Sequence, residues 1–132
     1  MEDQAVEKIL RESKTIAVVG FSSRPSRAGY YVPAYLQNQG YRIIPVNPYL
    51  QEGLGEPAYP ALEDIPGPVD LVLLFQRSEK VPPFVDQAIA IGAKGVWMQS
   101  GIANEAAADR AREAGLDVVQ NRCMMVEHRY NG

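Results

Sequence analysis

Thr15-Ile-Ala-Val-Val-Gly20 is an apolar run that ends abruptly in glycine. A strand with one wet face alternates polar and apolar residues. A run without alternation suits a strand covered on both sides, as in a parallel sheet. Glycine directly behind it permits a tight turn and lets the backbone come close to a ligand. A polar stretch follows, Phe21-Ser-Ser-Arg-Pro-Ser-Arg-Ala-Gly29, and residues 30–39 then predict a helix that stops at Gly40. Strand, turn and helix in that order open a βαβ unit.

The same grammar continues in both directions. Upstream, Ala5, Val6, Ile9 and Leu10 place one apolar stripe on a helix over residues 2–12. Downstream, Tyr41-Arg-Ile-Ile-Pro-Val-Asn47 reads as a second strand, with Pro45 expected to weaken pairing towards its end. Pro33 marks either the first turn of the preceding helix or a kink in it. Residues 48–68 are rich in proline and glycine and predict a long loop, with at most a short helix around residues 61–64. Val69-Asp-Leu-Val-Leu-Leu-Phe75 is a third strand. Ser78 reads as an N-cap, Pro82 and Pro83 suit a first turn, and the helix runs to Ile91 before Gly92. Gly95-Val-Trp-Met98 is a fourth strand. Asn104 caps a helix over residues 105–114, which Gly115 ends, and residues 116–119 form a short last strand before a tail that holds Cys123 and His128.

Strands alternating with helices imply an α/β, Rossmann-like, doubly wound parallel sheet of about five strands. The 132 residues make one domain, with 46% hydrophobic and 22% charged content ordinary for a globular chain. A net charge of −3 argues against nucleic acid as partner, so an anion would need a local cluster of donors. One cysteine and one histidine exclude an internal disulfide and make a histidine-based metal site or a Ser-His-Asp triad a poor reading. The acidic opening Met1-Glu-Asp-Gln4 is no signal peptide, and no apolar run reaches membrane-spanning length. The chain therefore reads as cytoplasmic, with no membrane partner.

The first strand-to-helix turn carries most of the chemistry. Gly20 is followed by hydroxyls from Ser22, Ser23 and Ser26, guanidinium groups from Arg24 and Arg27, and then a helix N-terminus. Main-chain N–H groups, a positive helix end and forked donors together suit phosphate oxygens. A solvated polar loop would share this composition, but its position at the first βα turn favours phosphate. The turn lacks the Gly-x-Gly-x-x-Gly pattern of dinucleotide sites, and Asn47-Pro48 stands where a ribose-binding carboxylate would be. That favours CoA or NADP over NAD. No Gly-Lys-Ser/Thr follows the glycine, so ATP hydrolysis is unsupported.

Other strand ends add candidates by topology: Phe75, Gln76 and Arg77 after the third, Gln99 and Gly101 after the fourth. Each singly reads as well as core, surface charge or turn. Cys123 beside Arg122 would, with a lowered pKa, exchange with a CoA disulfide. Flanked by Met124, Met125 and Val126, it reads first as a buried small hydrophobe. Trp97, Tyr30, Tyr31 and Tyr35 read as core or interface, and residues 127–129 as a surface helix turn or an interface.

Taken together, Val19-Gly-Phe-Ser-Ser-Arg-Pro-Ser-Arg27, Tyr35-Leu36, Gly40-Tyr41, Pro45-Val-Asn-Pro48, Val69-Asp70, Ser78-Glu79, Gly92-Ala-Lys94, Val96-Trp-Met-Gln99, Gly101-Ile102, Asn121-Arg-Cys123 and Glu127-His128 resemble the small single-domain CoA-binding proteins of bacteria and archaea. Those are similar to the N-terminal CoA-binding domain of the succinyl-CoA synthetase alpha subunit. The resemblance implies a Rossmann-type fold with CoA, free or acylated, as ligand. It implies that Gly20, Ser22, Ser23 and Arg27 take the phosphates, and Phe21 and Arg24 of the same loop are read as further binding candidates. Asn47 and Pro48 would border the adenosine, and Phe75, Gln76, Gln99 and Gly101 would line the nucleotide or pantetheine, with Arg77 kept as a candidate from its place at the strand end. The chain lacks the synthetase's phosphohistidine segment, and His128 does not match its catalytic histidine. The implied role is a binding module without catalysis. Two other readings stay open: an NADP-dependent or CoA-disulfide redox enzyme using Cys123, and a nucleotide-stabilised adaptor. A homo-oligomer or a protein partner also stays open.

Overall fold

The computed structural model describes residues 2–131. Five parallel strands form the central sheet: β1 (Thr15–Val19), β2 (Arg42–Val46), β5 (Leu71–Leu74), β6 (Gly95–Met98) and β7 (Asp117–Val119), in the order β2-β1-β5-β6-β7. A two-stranded antiparallel ribbon, β3 (Glu52–Gly53) with β4 (Glu56–Pro57), lies in the crossover from β2 to β5. The helices are α1 (Glu2–Glu12), α2 (Ala28–Asn38), α3 (Val81–Ala90), α4 (Glu105–Glu113) and α5 (Met124–Asn131).

The chain moves from β1 to β2 in one direction, then returns across β1 to build β5, β6 and β7 in the other. Right-handed crossovers in opposite directions put their helices on opposite faces. The buried side chains divide accordingly. Ala17, Val19, Val72, Leu74, Val96 and Met98 pack with Val81, Val85 and Ala88 of α3 and Ala107, Ala108 and Ala111 of α4. Ile16, Val18, Leu71, Leu73 and Trp97 pack with Val6 and Ile9 of α1, Val32 and Leu36 of α2, and Met124 of α5. Alternate residues of one strand thus feed two cores, which is why the strands read as unbroken apolar runs.

Several expectations need correction. Helix α2 begins at Ala28, two residues before the expected start, and Pro33 lies inside it, beyond the first turn. Pro45 does not weaken pairing: β2 stays in register with β1 through Val46. It is tolerated because β2 is next to no other strand of the main sheet, and the Pro45 carbonyl points outward to accept the Tyr59 N–H at 3.0 Å. Ser78 is not the cap of α3. It opens a 3₁₀ turn, Ser78–Lys80, and its Oγ accepts the Ala103 N–H at 3.0 Å. Asn104 does cap α4, its Oδ1 accepting the Ala107 N–H at 3.0 Å. The long loop contains the β3–β4 ribbon as well as a 3₁₀ turn at Leu62–Asp64, and the expected tail is α5.

The Asp70 side chain ties the lower rim of the sheet, its Oδ2 accepting the N–H groups of Lys14 and Thr15, each at 2.9 Å. Burial alone would raise its pKa, but those two bonds and the nearby Lys94 outweigh it and hold the carboxyl below its ordinary range.

Candidate functional site

The strand order reverses between β1 and β5, so the loops leaving these two strands part and open a crevice at their carboxyl ends. Gly20 and Phe75 stand at its mouth. Gly20 has φ +85°, and a Cβ there would lie 3.2 Å from the Phe75 Cβ and 3.3 Å from the Gln76 amide nitrogen. Only glycine satisfies both the turn and the closeness of the second loop. The turn is anchored on both sides: the Gly20 N–H bonds the Val46 carbonyl at 3.2 Å, and the Phe75 N–H bonds the Val19 carbonyl at 2.9 Å.

Two hollows meet at Gly20. One, of about 310 Å³, is lined by Gly20, Ser22, Arg24, Arg27, Ala28, Gly29 and Phe75. The N-cap of α2 is Arg27, whose side chain makes no capping bond. Ala28 and Gly29, the first two residues of the helix, line this space with no side-chain cap on their N–H groups, while the Tyr30 and Tyr31 N–H groups bond the Arg27 carbonyl. Two guanidinium groups and an uncapped helix start give the hollow a positive character suited to phosphate. The second hollow, of about 320 Å³, is lined by Gly20, Val46, Asn47, Pro48, Tyr49, Pro60, Gln76 and Phe84, among others, and its walls are mainly apolar. A donor-rich hollow beside an apolar one suits a ligand with a phosphate chain and a flat ring system.

The loop is held from three sides. Asn47 Nδ2 donates to the Phe21 carbonyl at 2.8 Å, while Asn47 Oδ1 accepts the Tyr49 N–H at 2.8 Å. The Ser22 N–H donates to the Gly29 carbonyl at 3.1 Å, and the Arg24 N–H donates to Ser22 Oγ at 3.1 Å. Beneath them Phe21 is buried and leans on Gly53, where a Cβ would run into the ring.

The structure brings Gly20, Ser22, Arg24, Arg27, Asn47, Pro48, Phe75 and Gln76 to these hollows. Phe21 lines neither hollow: its ring belongs to the core and its carbonyl is bonded to Asn47. Ser23 and Arg77 are exposed and line neither hollow. Gln99 is buried, and its Oε1 accepts the Met124 N–H at 3.1 Å, opening α5. Gly101 sits in an exposed turn with φ +85°, its N–H bonded to Asn121 Oδ1 at 2.7 Å. Cys123 is half-buried against the α1/α2/α5 core, and Arg122 is engaged by Glu2, Asp3 and Glu127. His128 Nδ1 lies 2.8 Å from the Tyr35 hydroxyl, on the helical layer.

Sequence reasoning passed over Gly29, Tyr49, Pro60 and Phe84. For Gly29 a signal was present: a glycine at a helix start, where its Cβ would stand 2.9 Å from the Gly20 carbonyl oxygen. Phe84 follows Pro82-Pro83, at the start of the helix on the far wall of the crevice. A further hollow of about 410 Å³ lies at the opposite rim. Its two lysines are paired with carboxylates of the same hollow, Lys8 with Asp117 at 3.2 Å and Lys94 with Asp70 at 3.8 Å. Helix C-termini, which repel anions, border it.

A sequence-family model described as "CoA binding domain" matches residues 14–129. The chain is 42% identical over 123 residues to the uncharacterized protein YneT of Bacillus subtilis, covering 93% of this chain and 91% of YneT. It is 30% identical over 116 residues to the alpha subunit of acetate–CoA ligase (ADP-forming) II of Pyrococcus furiosus, covering 87% of this chain but 24% of that subunit. Among solved structures, a hypothetical protein from Pyrococcus horikoshii superposes with a TM-score of 0.92 at 42% identity, covering 98% of this chain and 91% of that one.

Proposed function

The chain belongs to the CoA-binding domain family, and from that premise we propose that it binds CoA or an acyl-CoA across the two hollows at the carboxyl edge of the sheet, without catalysis of its own. One observation carries the reading: Arg24, Arg27 and the uncapped start of α2 converge on the hollow beside Gly20, where the strand order reverses. In this reading the diphosphate lies over the turn, with Ser22, Arg24, Arg27 and the first N–H groups of α2 as donors. The adenine occupies the apolar hollow between Pro48, Tyr49, Pro60 and Phe84, within reach of Asn47 and Gln76.

The ligase relative supports CoA as the ligand class, since CoA is in its name. This chain spans about a quarter of that subunit, 24%, so the ligase reaction is not carried across. Among the described residues no group of three or more His, Cys, Asp and Glu is placed to hold a metal ion, and no helix is long and apolar enough to cross a membrane. Isothermal titration with CoA, dephospho-CoA and NADPH tests the proposal. Saturable heat with CoA and none with NADPH is expected. Absence of heat with both CoA and dephospho-CoA at millimolar ligand ends it.

A further inference from the structure

Pro33 lies inside α2, where its nitrogen carries no hydrogen. In an uninterrupted helix the N–H of residue 33 would bond the carbonyl of residue 29. Proline withholds that donor, and its ring crowds the same carbonyl. Here the Gly29 carbonyl accepts instead from outside the helix, taking the Ser22 N–H of the anion-binding loop at 3.1 Å. The approach is close because residue 29 has no side chain, a Cβ there falling 3.4 Å from the Ser22 nitrogen as well as against the Gly20 carbonyl.

From this geometry we propose that Pro33 is a positioning residue for the loop: it keeps the Gly29 carbonyl available to Ser22, and so sets the loop before ligand arrives. The inference rests on the CoA reading for its functional meaning. Its structural content stands apart from that reading. Once the Ser22 N–H is fixed, its Oγ is placed to accept the Arg24 N–H, and the Arg27 N–H bonds the Arg24 carbonyl at 3.0 Å. The Gly29 carbonyl is thus the anchor on the α2 side of the stretch that carries both guanidinium groups. A loop ordered in advance spends less of its binding free energy on ordering.

Two variants test this. Pro33→Ala restores a helical donor. An ester-linked lactic acid at position 33 gives the alanine side chain without the amide hydrogen. Each is checked for folding by thermal unfolding, then compared with the parent by amide hydrogen exchange and by CoA titration. Pro33→Ala is expected to speed Ser22 exchange at least tenfold and to weaken CoA about five- to tenfold, or roughly 1–1.4 kcal/mol. The ester is expected to retain Ser22 protection and affinity close to the parent's. Unchanged Ser22 exchange in Pro33→Ala overturns the proposal, as does faster exchange with unaltered CoA affinity. An ester variant that behaves like alanine also overturns it, because lost ring packing would then be the cause. If the parent binds no CoA, the functional reading falls and Ser22 exchange alone decides the role of Pro33.

Discussion

Replacing Gly29 by alanine sets two effects against each other. Inside a helix, alanine stabilises by about 0.8–1.0 kcal/mol relative to glycine. In α2 the new methyl would stand 2.9 Å from the Gly20 carbonyl oxygen and 3.4 Å from the Ser22 nitrogen. Neither neighbour yields easily. Both are main chain, and Gly20 is bonded to the end of β2 through Val46. Relieving the closest contact needs a shift of roughly half an ångström, and overpacking of this kind costs about 1–3 kcal/mol. The sum is a net loss of about 0–2 kcal/mol, the opposite sign from helix propensity alone. Domains near this size lose about 3–5 °C of melting temperature per kcal/mol, so Gly29→Ala should melt up to about 10 °C below the parent. The same shift stretches the Ser22–Gly29 bond and moves the loop, so CoA should bind about tenfold more weakly. Calorimetric melting and CoA titration read the two effects separately. A variant that melts higher by the full propensity gain and binds CoA as the parent does would refute the reasoning.

Four further outcomes are expected. Arg27→Ala should weaken CoA about 10- to 100-fold, as for the loss of a charge-assisted bond, and should flatten the salt dependence measured by titration across ionic strengths. Asn47→Ala frees the part-buried Phe21 carbonyl from its 2.8 Å bond and should weaken CoA about tenfold in titration while lowering stability by about 1–3 kcal/mol in calorimetric melting. Asp70 has a depressed folded pKa, so its stabilisation is present above its ordinary range and fades as pH falls towards the folded value. Urea unfolding should show Asp70→Asn less stable by about 1–2 kcal/mol above roughly pH 5, with the gap closing below roughly pH 4. Cys123→Ser should leave CoA affinity within about twofold, because Cys123 packs on the α1/α2/α5 core and lines neither hollow; a large loss in titration would return the thiol to the site.

The sheet was legible in the sequence for a physical reason. Strands such as residues 16–19 and 71–74 are covered on both faces and so carry no polar interruption, and glycines with positive φ punctuate them. The first turn was legible because Gly20 and the arginines are local signals. Less was visible where a residue's task depends on a distant partner. Gln99 resembled a ligand contact, yet its amide oxygen serves Met124 across 25 positions. Ser78 resembled a cap, yet its hydroxyl accepts from Ala103. Helix α5 was visible only as a helical turn at residues 127–129, because Met124, Met125 and Val126 are consecutive and form no stripe, and only Met124 is fully buried. The ribbon was missed because its strands have two residues each, and its turn puts Leu54 at φ +53°, a conformation that leucine does not advertise.

The outer flank of β2 has a meaning beyond the site. Pro45 turns a position without hydrogen towards the outside, and Tyr59 already occupies the neighbouring groups by donating to Pro45 and accepting from Asn47. Beside it Arg42 and Glu56 pair at 3.7 Å, closing the crossover segment over the flank. An extended segment from another molecule would find the Pro45–Asn47 end of that edge already taken. The chain's own residues 56–59 therefore cover part of the β2 edge beside the Gly20 crevice, and that edge is a poorer template for self-association than a bare strand.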